Sequence, residues 1–208
     1  MPRPRSLTHS QIAAAALAVI DREGLDALSM RAVAAELGMG TMSVYRYVTD
    51  RAQLEALVVD LVFSSVDTTV PTSPAAWTGR IEVLAERVRA AAGQHPAVVP
   101  LLLVHRHTSV GAMRWGDAVL GILAEAGFAA GQRVVAFRAL LAYVLGALQV
   151  AHFSSLDGPG TAALAALDPA DFPHLSATAV AARQITADEE FLGGLALLLA
   201  GLTAGEAG

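Results

Sequence analysis

The chain has 208 residues, of which 54% are apolar and 16% charged, with a mean hydropathy of +0.51. That composition supports a sizeable core and argues against disorder, while the lack of cysteine excludes disulfides and thiolate chemistry. The net charge of −5 is unevenly spread: residues 1–51 hold six Arg against five acids (+1), and residues 52–208 hold eight Arg against fourteen (−6). A small near-neutral head with a basic tip can meet DNA locally while an acidic body stays clear of it. All fourteen basic residues are Arg, whose fork suits phosphate and guanine.

The first residues, Met1 to Arg5, are basic, but no apolar segment of secretory type follows them, so a cytoplasmic location is expected. The apolar spacing is helical throughout and no period-two alternation persists, which makes the fold class all-α. Thr8 and Gln11 are spaced as a capping box, with Leu7 and Ile12 as a hydrophobic staple. The helix they start presents Ile12, Ala16, Val19 and Ile20 on one face and stops at Gly24, read as a left-handed cap. Ser29 caps a short second helix with Val33, Ala34 and Leu37 on its apolar side, ended by Gly38. A third runs from Gly40-Thr41 through Val48. Asp50, with Gln53 three positions on, starts a fourth carrying Leu54, Leu57, Val58, Leu61 and Val62.

Helix two, a turn at Gly38-Met39-Gly40, and helix three have the spacing of a helix-turn-helix, about residues 29–48. Neither short helix can bury its face alone, so helices one and four must complete the core. The polar stretch Asp67–Pro74 then separates a DNA-binding head, residues 1–67, from a helical body, residues 72–208. Body helices are expected at about 75–94, 97–106, 109–126, 130–155 and 186–203. A short piece near 161–182 lies in what reads as a long, partly ordered excursion. The run Val134–Val150 is the most membrane-like segment. Arg138 interrupts it and Gln149 closes it, so a buried helix at a subunit interface is the better reading.

Ser29 to Gly38, Met39 to Val48 and Thr49 to Leu54 together resemble the signature of the tetracycline-repressor (TetR) family. In that signature a helix-turn-helix joins a fourth helix that opens with a polar cap and a basic residue. A helix fits the major groove with only its outward side chains reaching base edges. With Val44 and Val48 pointing inward, Thr41, Met42, Ser43, Tyr45, Arg46 and Tyr47 face outward, and the resemblance implies that these contact the groove. Arg46 suits a bidentate contact with guanine, Met42 a thymine methyl, and the two tyrosines phosphate. The resemblance further implies a DNA contact from Arg31, near the Ser29 cap. The amides after Gly40 and after Asp50 can take phosphates, and Arg51 matches the family's basic residue, usually Lys. Arg3 and Arg5 form a short arm toward the backbone or minor groove. Blander readings stand beside these: Tyr47 packing on the head's core, Arg31 pairing with Glu36, and a weakly contributing arm.

Helices 130–155 and 186–203 are apolar on nearly every side and exceed what one body can cover. Two copies of each would make an intersubunit four-helix bundle, as TetR-type proteins do, so a homodimer on two-fold operator DNA is expected. The segment Asp171–Leu175 with Asp188–Leu202 is similar to the C-terminal domain of the tetracycline-repressor branch. The family also implies a pocket for a small-molecule effector. His105, Trp115, Phe137, Tyr143, His152 and Phe153, with Arg114 and His107 nearby, are its candidate lining. His105 is the nearest counterpart of a histidine that holds a metal–drug complex in tetracycline-binding members. The local match is too poor to carry a metal over, and the His105–His107 spacing points two rings apart, so no metal or cofactor is expected. No Gly-x-Ser-x-Gly, P-loop, dinucleotide or His-Glu-x-x-His pattern is present, which argues against an enzyme. The expected activity is therefore a DNA-binding repressor released by an apolar ligand, with an activator or non-repressing sensor as the alternative.

Overall fold

The computed structural model describes residues 7–72 and 76–204. Among them are eleven α-helices and no strand: α1 (His9–Glu23), α2 (Met30–Glu36), α3 (Thr41–Val44), α4 (Arg51–Ser64), α5 (Trp77–Gln94), α6 (Val99–His105), α7 (Val110–Glu125), α8 (Ala130–Phe153), α9 (Pro159–Ala165), α10 (Pro173–Ala182) and α11 (Ala187–Ala204). By packing the chain forms two compact units, residues up to Thr72 with Val83–Gly121, and Ser73–Glu82 with the chain from Ile122 on.

In the first unit, α1 packs on α2 and α4, α2 packs on α3, and α4 packs on α6. Ile12, Ala16, Val19 and Ile20 of α1 meet Val33, Val44, Leu54 and Val58 in a core where each is fully buried. Burying a Val, Leu or Ile stabilises by about 1.5–3 kcal/mol, and this core is what lets two very short helices hold their places. The N-terminal side-chain caps read from the sequence, Thr8, Ser29 and Asp50, are present. Thr8 Oγ1 accepts from the Gln11 amide at 3.2 Å while Gln11 Oε1 accepts from the Thr8 amide at 3.0 Å, and Ser29 Oγ accepts from the Ala32 amide at 3.1 Å. Gly24 differs in detail: its φ of 86° is positive but its ψ of 166° is extended, so the chain leaves α1 straight into a 3-10 turn at Leu25–Ala27 rather than through a left-handed cap.

Further along the first unit, α4 is joined to the start of α7. Asp60 Oδ1 accepts from Ser109 Oγ at 2.8 Å and from the Val110 amide at 3.1 Å. Residue 111 has to be glycine for this approach, because a Cβ there would lie 2.8 Å from Phe63 Cβ and 2.9 Å from the Phe63 carbonyl. Trp115 is buried, and its indole N–H donates to the Leu84 carbonyl at 2.9 Å.

In the second unit α8 pairs with α11. Phe191, Leu195 and Leu199 recur every four residues along the buried side of α11, and Ala136, Leu140, Val144 and Leu148 line that of α8. Tyr143 Oη donates to the Phe191 carbonyl at 2.7 Å. Burial, with the Glu190 charge adding to it, raises the Tyr143 phenol above the ordinary tyrosine value. Near the other end Trp77 and Phe128 meet edge to face at 5.3 Å, and Arg80 Nη1 reaches Glu125 at 2.7 Å.

The excursion read as partly ordered instead forms α9 and α10, which pack on each other. Pro159 and Pro173 each occupy the first turn of these helices, where the missing N–H has no intrahelical partner to lose, so here proline starts a helix. On the outer faces of α8 and α11, Val134, Val135 and Leu197 are 61%, 68% and 78% exposed. By length and composition α8 is long and apolar enough to cross a membrane, and 28% of its most apolar window is buried within the chain.

Candidate nucleic-acid interface

The turn between α2 and α3 is set by Gly38, whose φ of 66° is left-handed. Its amide donates to the Ala35 carbonyl at 3.0 Å and the Met39 amide to the Ala34 carbonyl at 2.9 Å. This is the paired closure that ends a helix with glycine just beyond its cap. The chain then turns at once into α3. That helix is shorter than the sequence suggests: regular α-helix ends at Val44, and residues 45–47 form a tighter turn. The Tyr45-to-Thr41 bond stretches to 3.3 Å and the Tyr47 amide reaches back only three residues, to Val44, at 2.9 Å. His9 Nε2 donates to the Tyr47 carbonyl at 3.1 Å, drawing that last turn toward α1. The Val48 amide still bonds the Val44 carbonyl at 3.2 Å, so the outward positions keep helical phase through Val48.

Val44 and Val48 are buried, as expected of inward positions. Met42 is 76% and Tyr45 47% exposed, Arg46 and Gly40 are exposed, and Thr41, Ser43 and Tyr47 are half-buried. An exposed methionine and tyrosine beside an arginine form a face able to meet base edges and backbone together. Arg31 is exposed on α2. Its expected rival partner, Glu36, is held instead by Arg22 of α1 at 2.9 Å. Among the described residues neither Arg31 nor Arg46 has an ion-pair partner. Ser29 is committed to its cap.

At the start of α4 the amides are partly used. Asp50 Oδ1 takes the Gln53 amide at 2.9 Å and Gln53 Oε1 takes the Thr49 amide at 2.7 Å. Arg51 is also engaged: Nε donates to Glu55 Oε1 at 2.8 Å and Nη2 to the Leu25 carbonyl at 3.1 Å. Its side chain remains 46% exposed. Arg3 and Arg5, the expected arm, lie outside the described residues.

The candidate pocket residues are dispersed. In the first unit, Trp115 is buried with its indole N–H bonded, and His105 Nε2 donates to Glu55 Oε2 at 3.1 Å. In the second, Phe137 is half-buried and Tyr143 is tied to α11, while His152 and Phe153 are exposed and meet edge to face at 4.6 Å. An open apolar groove of ≈ 380 Å³ lies where the start of α8 meets the end of α11, lined by Phe128, Val135, Ala136 and Leu202 among others. None of the six candidates lines it. Sequence reasoning missed the long-range polar pairs His105–Glu55, His95–Asp21 and Ser109–Asp60; the residues are separated by 50, 74 and 49 positions, and no local pattern marks them.

Two family models match: "Bacterial regulatory proteins, tetR family" over residues 12–55 and "Tetracyclin repressor-like, C-terminal domain" over residues 70–205. The chain is 34% identical over 146 residues to the HTH-type transcriptional repressor DrrR1 of Streptomyces coeruleorubidus, covering 70% of this chain and 54% of that one. It is 30% identical over 142 residues to an HTH-type transcriptional regulator of Saccharopolyspora erythraea, covering 68% and 60%. It thus matches between about half and three-fifths of the length of these curated relatives. Among solved structures it is similar to the Streptomyces coelicolor protein ActR in complex with actinorhodin, with a TM-score of 0.81, 28% identity, and 98% and 99% of the two chains covered.

Proposed function

Because the chain belongs to the tetracycline-repressor family of bacterial regulatory proteins, we propose that it is a homodimeric, cytoplasmic repressor of transcription that leaves its operator when a small apolar molecule binds its body. Residues 1–67 act as the DNA-reading head and residues 72–208 as the ligand-binding and dimerisation body. The observation that carries the reading is the exposed face of α3 and the turn after it, held over a closed core. Arg46 reads guanine, Met42 meets a thymine methyl, Tyr45 and Tyr47 hold phosphates, and Arg31 and Arg51 add charge at the flanks.

The open apolar faces of α8 and α11 support a dimer over a membrane span. A second copy covers Val134, Val135 and Leu197 in a four-helix bundle, and operators read by two heads require a two-fold. DrrR1 is named a repressor and ActR is seen in complex with actinorhodin, which supports repression and a small-molecule effector here. Ligand release works only through unequal affinity for the DNA-bound and free states, typically 1–3 kcal/mol of coupling.

Fluorescence anisotropy on a duplex from the region upstream of its own coding sequence, at two salt concentrations, tests the reading. Specific binding that weakens steeply with salt and is reversed by added actinorhodin, used as the probe, is the expected result. Specific binding that the probe leaves unchanged counts against the proposed effector class, and no specific binding counts against the repressor.

A further inference from the structure

The segment that carries α6 is held to α1 at its start and to α4 at its finish, each time by a histidine on a carboxylate. At the start, His95 Nδ1 meets Asp21 Oδ2 of α1 at 2.8 Å. At the finish, His105 Nε2 donates to Glu55 Oε2 of α4 at 3.1 Å. The second pair is the drier one: His105 and Glu55 side chains are 11% and 17% exposed, against 26% and 37% for His95 and Asp21.

Glu55 has a second occupant. Its other oxygen, Oε1, accepts from Arg51 Nε at 2.8 Å, one helical turn back toward the start of α4. Arg51 Nη2 is spent on the Leu25 carbonyl, which leaves Nη1 on a side chain that is 46% exposed. One carboxylate therefore divides a single negative charge between an arginine on the DNA side and a histidine at the end of α6. A guanidinium that faces both oxygens of a carboxylate is bound more strongly than one that shares it.

We propose that Glu55 is a positioning residue that sets how firmly Arg51 is held back from a DNA phosphate, and that His105 governs it by occupying the second oxygen. While α6 is seated, His105 keeps Oε2 and Arg51 is held through Nε alone. Without His105 on Oε2, that oxygen turns to Arg51, Nη2 exchanges the Leu25 carbonyl for it, and the two-pronged pair draws the guanidinium off the DNA face. The proposal rests on the DNA-binding reading above, since Arg51 is taken there as a DNA contact.

The test is a cycle of four full-length proteins: wild type, His105→Ala, Arg51→Ala and the double variant. Each is checked for fold by circular dichroism and assayed for affinity to the upstream duplex across a salt series. His105→Ala is expected to weaken binding about threefold to tenfold and to flatten the log–log salt dependence by about one phosphate per head. In the Arg51→Ala background the same change is expected to do nothing. His105→Gln, whose amide can still donate to Glu55, is expected to restore binding, and Glu55→Ala to leave affinity equal to wild type or above it.

Equal losses from His105→Ala with and without Arg51 overturn the proposal, because a merely structural histidine gives that result. So does a folded His105→Ala protein with wild-type affinity and salt slope. If wild type binds no DNA, the regulator reading falls. Urea unfolding of the same four proteins then still decides the shared carboxylate: non-additive losses support it and additive losses overturn it.

Discussion

In the head, Ile12, Ile20, Val33, Val44 and Leu54 are fully buried, each covered by side chains of the same unit. Along α8 and α11, equally apolar residues stand open: Val134 at 61%, Val135 at 68% and Leu197 at 78%. The α8–α11 pair is the more apolar of the two regions, yet it leaves large apolar side chains open. What separates them is whether the unit supplies a cover. The head needs only a few short helices because α1 and α4 flank α2 and α3. The α8–α11 pair shows one face to its neighbour and one to whatever lies outside the unit. On the proposed reading, the complete core gives a rigid DNA-facing surface and the incomplete one an assembly surface.

The largest expected effect lies on the closed side of that comparison. Leu54→Ala removes a fully buried side chain from the α1–α4 contact and should lower unfolding free energy by about 2–5 kcal/mol. Urea titration should show the same loss at any protein concentration; a loss that vanishes at high concentration would place this core, too, under the control of assembly. On the open side, Leu197→Asp should leave the far-ultraviolet spectrum intact but turn dimer into monomer in sedimentation velocity. Losing the second head then weakens binding to the upstream duplex by roughly a hundredfold. A Leu197→Asp protein that sediments as wild type would mean that this face is not the assembly surface. Ser29→Ala is the smallest probe. It frees the Ala32 amide at the start of α2 and should cost about 1 kcal/mol of stability, read as a shift in urea midpoint at constant slope.

Much of the head was legible from the sequence because its determinants are local. Thr8 with Gln11, Ser29, Gly38, and Asp50 with Gln53 act within three or four residues, and each makes the bond its spacing implies. The early end of regular helix at Val44 was not legible, since the last turn is pulled by His9, thirty-eight positions away. The excursion was legible only as one short piece near 161–182, whereas Pro159 and Pro173 start two separate helices. The pairs that join α4 to α6 and α7 depend on chain separations of about fifty residues, and no periodicity reports on those. His105 stood out as an isolated histidine on an apolar segment, but its partner Glu55 could be found only by folding the chain.

The central claim is that the exposed face after Gly40 reads DNA, and the most direct measurement compares wild type with a Tyr45→Ala, Arg46→Ala double variant by anisotropy on the upstream duplex. Both altered side chains are exposed and support no core contact, so the variant should unfold at the same urea midpoint as wild type. Loss of one base-reading contact costs about 1–3 kcal/mol. The account therefore predicts a folded protein whose specific binding drops at least tenfold and whose residual binding no longer distinguishes the upstream duplex from one of scrambled sequence. A folded variant that binds the duplex with wild-type affinity and selectivity would contradict it.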